Sequence, residues 1–122
     1  MPGRRTWVLA AAVTFALLAL GPHGARADSP VVVRASLDGE IDNATATYVA
    51  QAVKQAETDH AAALVLVMNT PGGYADSMDA MVTSLLNSRV PVVAYVAPSG
   101  ARADSAGLFV AQSADVVAMA PG

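Results

Sequence analysis

Cysteine is absent from the 122 residues, so neither a disulfide nor a thiolate metal site can form. That absence neither requires nor excludes an oxidising compartment. Lysine occurs once, as Lys54, and histidine twice, as His23 and His60. One of the two histidines falls in an amino-terminal leader, so a histidine metal site lacks the ligands it needs. No cofactor and no metal are expected. Cations are scarce as well. Beyond residue 27 only Arg34, Lys54, Arg89 and Arg102 remain against ten Asp and Glu. Four against ten gives a net charge of about −6, without a basic patch for nucleic acid. There is no repeat of fixed period, no low-complexity tract and no internal linker. One domain at most is expected.

Long apolar runs are what the chain has in quantity. The first stretches from Trp7 to Leu20, after Arg4 and Arg5, and is broken by Gly21-Pro22-His23-Gly24 before Ala25-Arg26-Ala27. A basic start, roughly 14 apolar residues and a small-x-small ending form the pattern of a secretory signal peptide over residues 1–27. The run is shorter than the ~20 residues a spanning helix needs. An uncleaved anchor is the alternative reading. The mature chain, residues 28–122, is expected to begin at Asp28.

The remaining runs are shorter and evenly placed. Val31 to Leu37 is rich in β-branched residues and reads as a strand, closed by the turn Asp38-Gly39-Glu40. Asp42 or Asn43 can cap a helix reaching about Asp59, with an apolar stripe of Tyr48, Val49, Ala52, Val53 and Ala56. Ala63 to Met68 is a second strand. A second helix is expected from about Asp76, capped by that carboxylate, with Met78, Met81, Val82, Leu85 and Leu86 facing inward. A third strand ends at Val96, a third helix runs from near Ser105 to before Asp115, and Val116 to Met119 is a fourth strand. The order βαβαβαβ predicts an α/β fold, a parallel sheet flanked by helices. The near-continuous apolar strands two to four predict cover on both faces. A body this small and this apolar is expected to need further chain or a partner over its last strand.

Two loops follow the second and third strands, Asn69-Thr70-Pro71-Gly72-Gly73 and Pro98 to Gly107. Parallel neighbours place such turns together at the carboxyl edge of the sheet, where α/β folds put their sites. Ser105 is the candidate nucleophile, at a helix start that presents free N–H groups and a favourable dipole to an anion. The alternative is that its hydroxyl merely caps the third helix. Gly72 and Gly73 are candidates for an oxyanion hole, which needs N–H donors about 3 Å from the developing charge. The alternative is an ordinary Pro-Gly turn. Ala106 places one more N–H beside the serine. A serine needs a base. Lys54 and His60 fall near the amino edge of the sheet, roughly 20 Å from Gly72 along a strand of about six residues. That is beyond the reach of a proton transfer, so Lys54 reads as a solvated surface group and His60 as a helix-end residue.

Several pieces together carry a resemblance. They are Leu37-Asp38-Gly39-Glu40-Ile41-Asp42, Asn69-Thr70-Pro71-Gly72-Gly73, Val90 to Val96, Gly100-Ala101-Arg102-Ala103-Asp104-Ser105-Ala106-Gly107 and Met119-Ala120-Pro121-Gly122. In order and spacing, the segment from about Val31 to Gly122 resembles the amino-terminal domain of the NfeD family of membrane-bound serine proteases, relatives of the Clp protease and crotonase fold. The resemblance covers about the first half of that catalytic domain, a partial domain. It implies a Ser–Lys protease with Ser105 as nucleophile. It also implies that the Gly72-Gly73 turn and Ala106 hold the oxyanion, and that the lysine lies beyond Gly122. It further implies apolar segments of membrane-associated proteins as substrates, a stomatin-like protein among them, and a homo-oligomer for the full-length protein. With the leader, the resemblance places the protein across the inner membrane, periplasmic or membrane-associated.

Two residues depart from the family's pattern. Asp104 stands where a small residue, usually alanine, precedes the serine, and Leu108 where threonine is common. A carboxylate at 104 adds negative charge beside a site that must stabilise an oxyanion. It could instead cap the third helix and pair with Arg102 in solvent. A second reading is therefore a catalytically inactive, truncated ClpP-like protein that binds a partner. A crotonase-type acyl-CoA enzyme is disfavoured by the leader and the nucleophilic serine, and nucleotide binding by glycine loops that fit no phosphate-binding motif.

Overall fold

The computed structural model describes residues 29–122; the signal-peptide reading of residues 1–27 lies outside the described residues. Four strands and three helices alternate: β1 Val32–Asp38, α1 Asn43–Thr58, β2 Ala63–Asn69, α2 Ala75–Leu86, β3 Val92–Val96, α3 Ala106–Gln112 and β4 Val116–Met119. All pairings are parallel, in the spatial order β1-β2-β3-β4. Leu37, Met68 and Val96 share one row of the register. The ends of β1, β2 and β3 therefore stand side by side, and the loops that leave them meet.

Sequential strand order has a consequence for the layers. Each crossover of the usual right hand lands on the same side of the sheet, and α1 packs on α2 and α2 on α3. The expectation of cover on both faces is therefore corrected for the described residues: their helices line one face. Beneath them the alternating residues Ala35, Leu37, Leu64, Leu66, Met68, Val92, Ala94 and Val96 are buried. Their neighbours Val65, Val67 and Val93 are half-buried on the opposite face, and Tyr95 is exposed there. Complete burial of a Leu, Met or Val side chain contributes about 1.5–3 kcal/mol. The single layer of large buried residues under the helices is thus the main source of stability. β4 is exposed at every residue and forms an open edge.

α1 begins where the sequence places it, and the reason is local. Asp42 accepts the Thr45 N–H while the Thr45 hydroxyl accepts the Asp42 N–H, both at 2.8 Å, a reciprocal capping box. The helix ends with His60 at a φ of 50°, the Ala61 N–H reaching the Ala56 carbonyl and the His60 N–H the Glu57 carbonyl. This is the Schellman arrangement, and it gives His60 the helix-end role expected of it. Tyr48 departs from its expected place in the core stripe. It is 43% exposed, and its hydroxyl accepts the outward N–H of Ser36 on the β1 edge at 3.1 Å. Ala46 is buried instead.

α2 corrects two expectations. Its N-cap is Tyr74, without a side-chain hydrogen bond, and Asp76 lies in the first turn, where its charge complements the helix dipole. Ser77, Met81 and Leu85 form the buried stripe at four-residue spacing, with Ser77 Oγ donating to Asn43 Oδ1 at 3.0 Å. Leu86, expected inside, is 67% exposed, because the last turn carries it past the covered face.

Candidate active site

Ser105 sits at φ 52°, ψ −119°, a conformation that costs a non-glycine residue about 1–3 kcal/mol. It occupies the N-cap position of α3, yet its hydroxyl makes no capping hydrogen bond. The capping role is therefore absent. A side chain on such a sharp turn before a helix is thrust outward, and Ser105 is exposed. The turn is held by its backbone: Gly107 N–H donates to the Asp104 carbonyl at 2.8 Å and Leu108 N–H to the Ser105 carbonyl at 3.0 Å.

The first glycine loop is held against this turn. Gly72 has a φ of +101°, and a Cβ built on it would stand 2.9 Å from Ser105 Cβ and 3.2 Å from the Ala106 nitrogen. Only glycine leaves the space next to the serine open. Gly73 has no room for a side chain either, because the Ile41 backbone fills the position. Gly73 forms a parallel bridge with Ile41, in which Ile41 N–H donates to the Gly72 carbonyl at 2.8 Å and Tyr74 N–H to the Ile41 carbonyl at 2.9 Å. The structure thus brings Gly72, Gly73, Ser105 and Ala106 together.

Their N–H groups are not equivalent. The Gly72 N–H is engaged by Thr70 Oγ1 at 3.0 Å. Neither the Gly73 nor the Ala106 N–H finds an acceptor among the described residues. One backbone donor on each loop is therefore without a partner among the described residues, and Gly72 leaves the space beside Ser105 open. The bridge from Ile41 is a feature that sequence reasoning missed. Its only signal was the Leu37–Asp42 piece, which carried no assigned role.

The other named residues lie as follows. Asp104 makes no cap. Its Oδ2 lies 3.4 Å from Arg102 Nε, both side chains more than half exposed, so the added negative charge has an opposite charge beside it. Leu108 is exposed one turn beyond the serine. Lys54 is exposed late in α1 and His60 follows that helix, both at the end of the sheet opposite the glycine turns. The arrangement among the described residues places an exposed, uncapped serine hydroxyl against the Gly72 turn, and Lys54 and His60 lie at the opposite end of the sheet. No group of three His, Asp or Glu among the described residues is placed to hold a metal, and none of their helices is long and apolar enough to cross a membrane.

A four-stranded parallel sheet with its helices and a strained serine at its carboxyl edge define a ClpP-like α/β domain. ClpP1 from Listeria monocytogenes superposes with a TM-score of 0.54 at 22% identity, over 66% of this chain and 46% of that one, which speaks to the fold alone. The chain belongs to the NfeD family: the family model for the NfeD1b N-terminal domain matches residues 31–122. The membrane-bound protease PH1510 of Pyrococcus horikoshii is 39% identical over 92 residues, covering 75% of this chain and 21% of that protein. The membrane protein NfeD1b of Bacillus subtilis is 34% identical over 109 residues, 88% of this chain and 24% of that one. Among solved structures, the 1510-N membrane-bound stomatin-specific protease, as a serine-to-alanine mutant, aligns with a TM-score of 0.75 at 37% identity over 77% of this chain and 45% of that chain. The chain thus spans about a fifth to a quarter of the length of these curated relatives.

Proposed function

We propose that this chain is the amino-terminal part of a serine endopeptidase that cuts apolar segments of membrane-associated proteins. Ser105 Oγ attacks the carbonyl carbon of the scissile peptide and passes its proton to a base. The carbonyl oxygen, now negative, is held by the N–H groups of Gly73 and Ala106. As the C–N bond breaks, the base returns its proton to the leaving nitrogen, which departs as the amine and leaves an acyl-serine; water, activated by the same base, hydrolyses it. The base in this reading is a lysine beyond Gly122. A structure of the 1510-N protease with a lysine replaced by alanine, bound to a substrate peptide, supports that assignment. Its stomatin specificity supports a stomatin-like substrate here. The membrane-bound relatives support a site of action at the membrane; that it is reached on the periplasmic side, by a homo-oligomer of the full-length protein, is part of the proposal.

The observation that carries this reading is the exposed, uncapped Ser105 at φ 52° packed against the Gly72 turn, with the Gly73 and Ala106 N–H groups without a partner among the described residues. The test incubates the full-length protein and its Ser105→Ala variant with a purified stomatin homologue and follows cleavage by mass spectrometry. Cleavage by the wild type and none by the variant is the expected result. Equal cleavage by both, or none by either, overturns the reading.

A further inference from the structure

The site has two halves on two loops, and one buried residue touches both. Thr70 is completely buried. Its backbone forms a parallel bridge with Ala103: its N–H donates to the Arg102 carbonyl at 2.7 Å, and its carbonyl accepts the Asp104 N–H at 3.0 Å. These bonds fix the segment immediately before Ser105. Its side chain divides the remaining work. Oγ1 accepts the Gly72 N–H at 3.0 Å, which fixes the turn carrying the Gly73 donor. The methyl group faces Gly107, where an added Cβ would meet Thr70 Cγ2 at 2.5 Å. Hydroxyl to one loop and methyl to the other is a division that only a threonine side chain makes. Valine keeps the methyl and loses the acceptor; serine keeps the acceptor and loses the methyl.

We propose that Thr70 is a positioning residue that sets the separation between the Gly73 donor and the Ser105–Ala106 turn, an inference that rests on the protease reading above. It touches no substrate. It acts by holding the oxyanion donors where the developing charge requires them, and a displacement of about 1 Å at such a site can cost 10²-fold in rate. Its loss should appear in the chemical step and leave ground-state binding of the peptide unchanged.

The test uses the full-length protein and a fluorogenic peptide taken from the cleavage site in the stomatin homologue. Thr70→Val is expected to lower kcat by about 10- to 100-fold with KM nearly unchanged, and Thr70→Ser to retain most of the wild-type kcat. A wild-type kcat in Thr70→Val, or an equal loss in Thr70→Ser, overturns the proposal. If Thr70→Val fails to fold, Gly107→Ala serves in its place. The added methyl should lower kcat, and the Thr70→Ser/Gly107→Ala double variant should recover it; a double variant no better than Gly107→Ala overturns the proposal. Ser105→Ala, run in parallel, separates the two failures. Undiminished cleavage by Ser105→Ala sinks the protease reading and this inference with it. A dead Ser105→Ala beside an unaffected Thr70→Val sinks this inference alone.

Discussion

Gly72 lies so close to Ser105 that a Cβ on the glycine would stand 2.9 Å from the serine Cβ. The same atom would stand 2.9 Å from the Asp104 carbonyl oxygen, which belongs to a backbone held by Thr70. Neither neighbour is the movable end of a flexible side chain. With a φ of +101°, the position is closed to any other residue on conformational grounds as well. Gly72→Ala should lower thermal stability, by about 1–3 kcal/mol for the backbone alone, and reduce turnover by roughly 10²-fold or more. Calorimetry and peptide hydrolysis on the full-length protein check the two effects.

Ser105 itself should trade stability for chemistry. Its backbone conformation is one that glycine adopts freely, so Ser105→Gly should be more stable than Ser105→Ala by about 1–3 kcal/mol. Both variants should be inactive. Equal melting temperatures for the two would show that the turn is not strained.

A second position tests the same physics away from the site. His60 takes a φ of 50° at the end of α1, where glycine is the usual residue. His60→Gly should raise stability by about 1 kcal/mol, read as a higher urea midpoint at constant m-value. Activity should not change.

Acid should weaken the fold through two carboxylates. Hydrogen bonds from the Thr45 N–H, then the Thr45 hydroxyl, hold Asp42 below its ordinary pKa. The Arg89 guanidinium, then the Arg89 N–H, does the same for Glu57. A depressed folded-state pKa means stability present above the unfolded value and lost as pH falls through the folded one. Urea midpoints should therefore be level near neutrality and drop below the ordinary carboxylate range. Glu57→Gln should flatten part of that drop.

Strand positions were legible because each is a short run of β-branched or apolar residues between turn-formers, and β4 falls on the expected Val116–Met119. The pairing of the two loops was legible too, since parallel strands bring their carboxyl ends together. The one-sided layer was not. Val65, Val67 and Val93 are apolar whether or not a helix covers them, so composition reads them as buried; the sequential strand order decides otherwise. Tyr48 was misplaced because periodicity takes a tyrosine as apolar and ignores the N–H its hydroxyl can satisfy. The division of the glycine donors, with Gly72 engaged and Gly73 without a partner among the described residues, depends on where Thr70 Oγ1 points. No spacing rule gives that.

The central claim is that Ser105 becomes acylated. The most direct test is intact-protein and peptide-level mass spectrometry of the full-length protein, quenched in acid within milliseconds of mixing with a slowly hydrolysed ester of the cleavage-site peptide. An acyl group on the tryptic peptide containing Ser105, absent from Ser105→Ala, is the predicted result. An adduct on another residue, or one that persists in Ser105→Ala, would contradict the account.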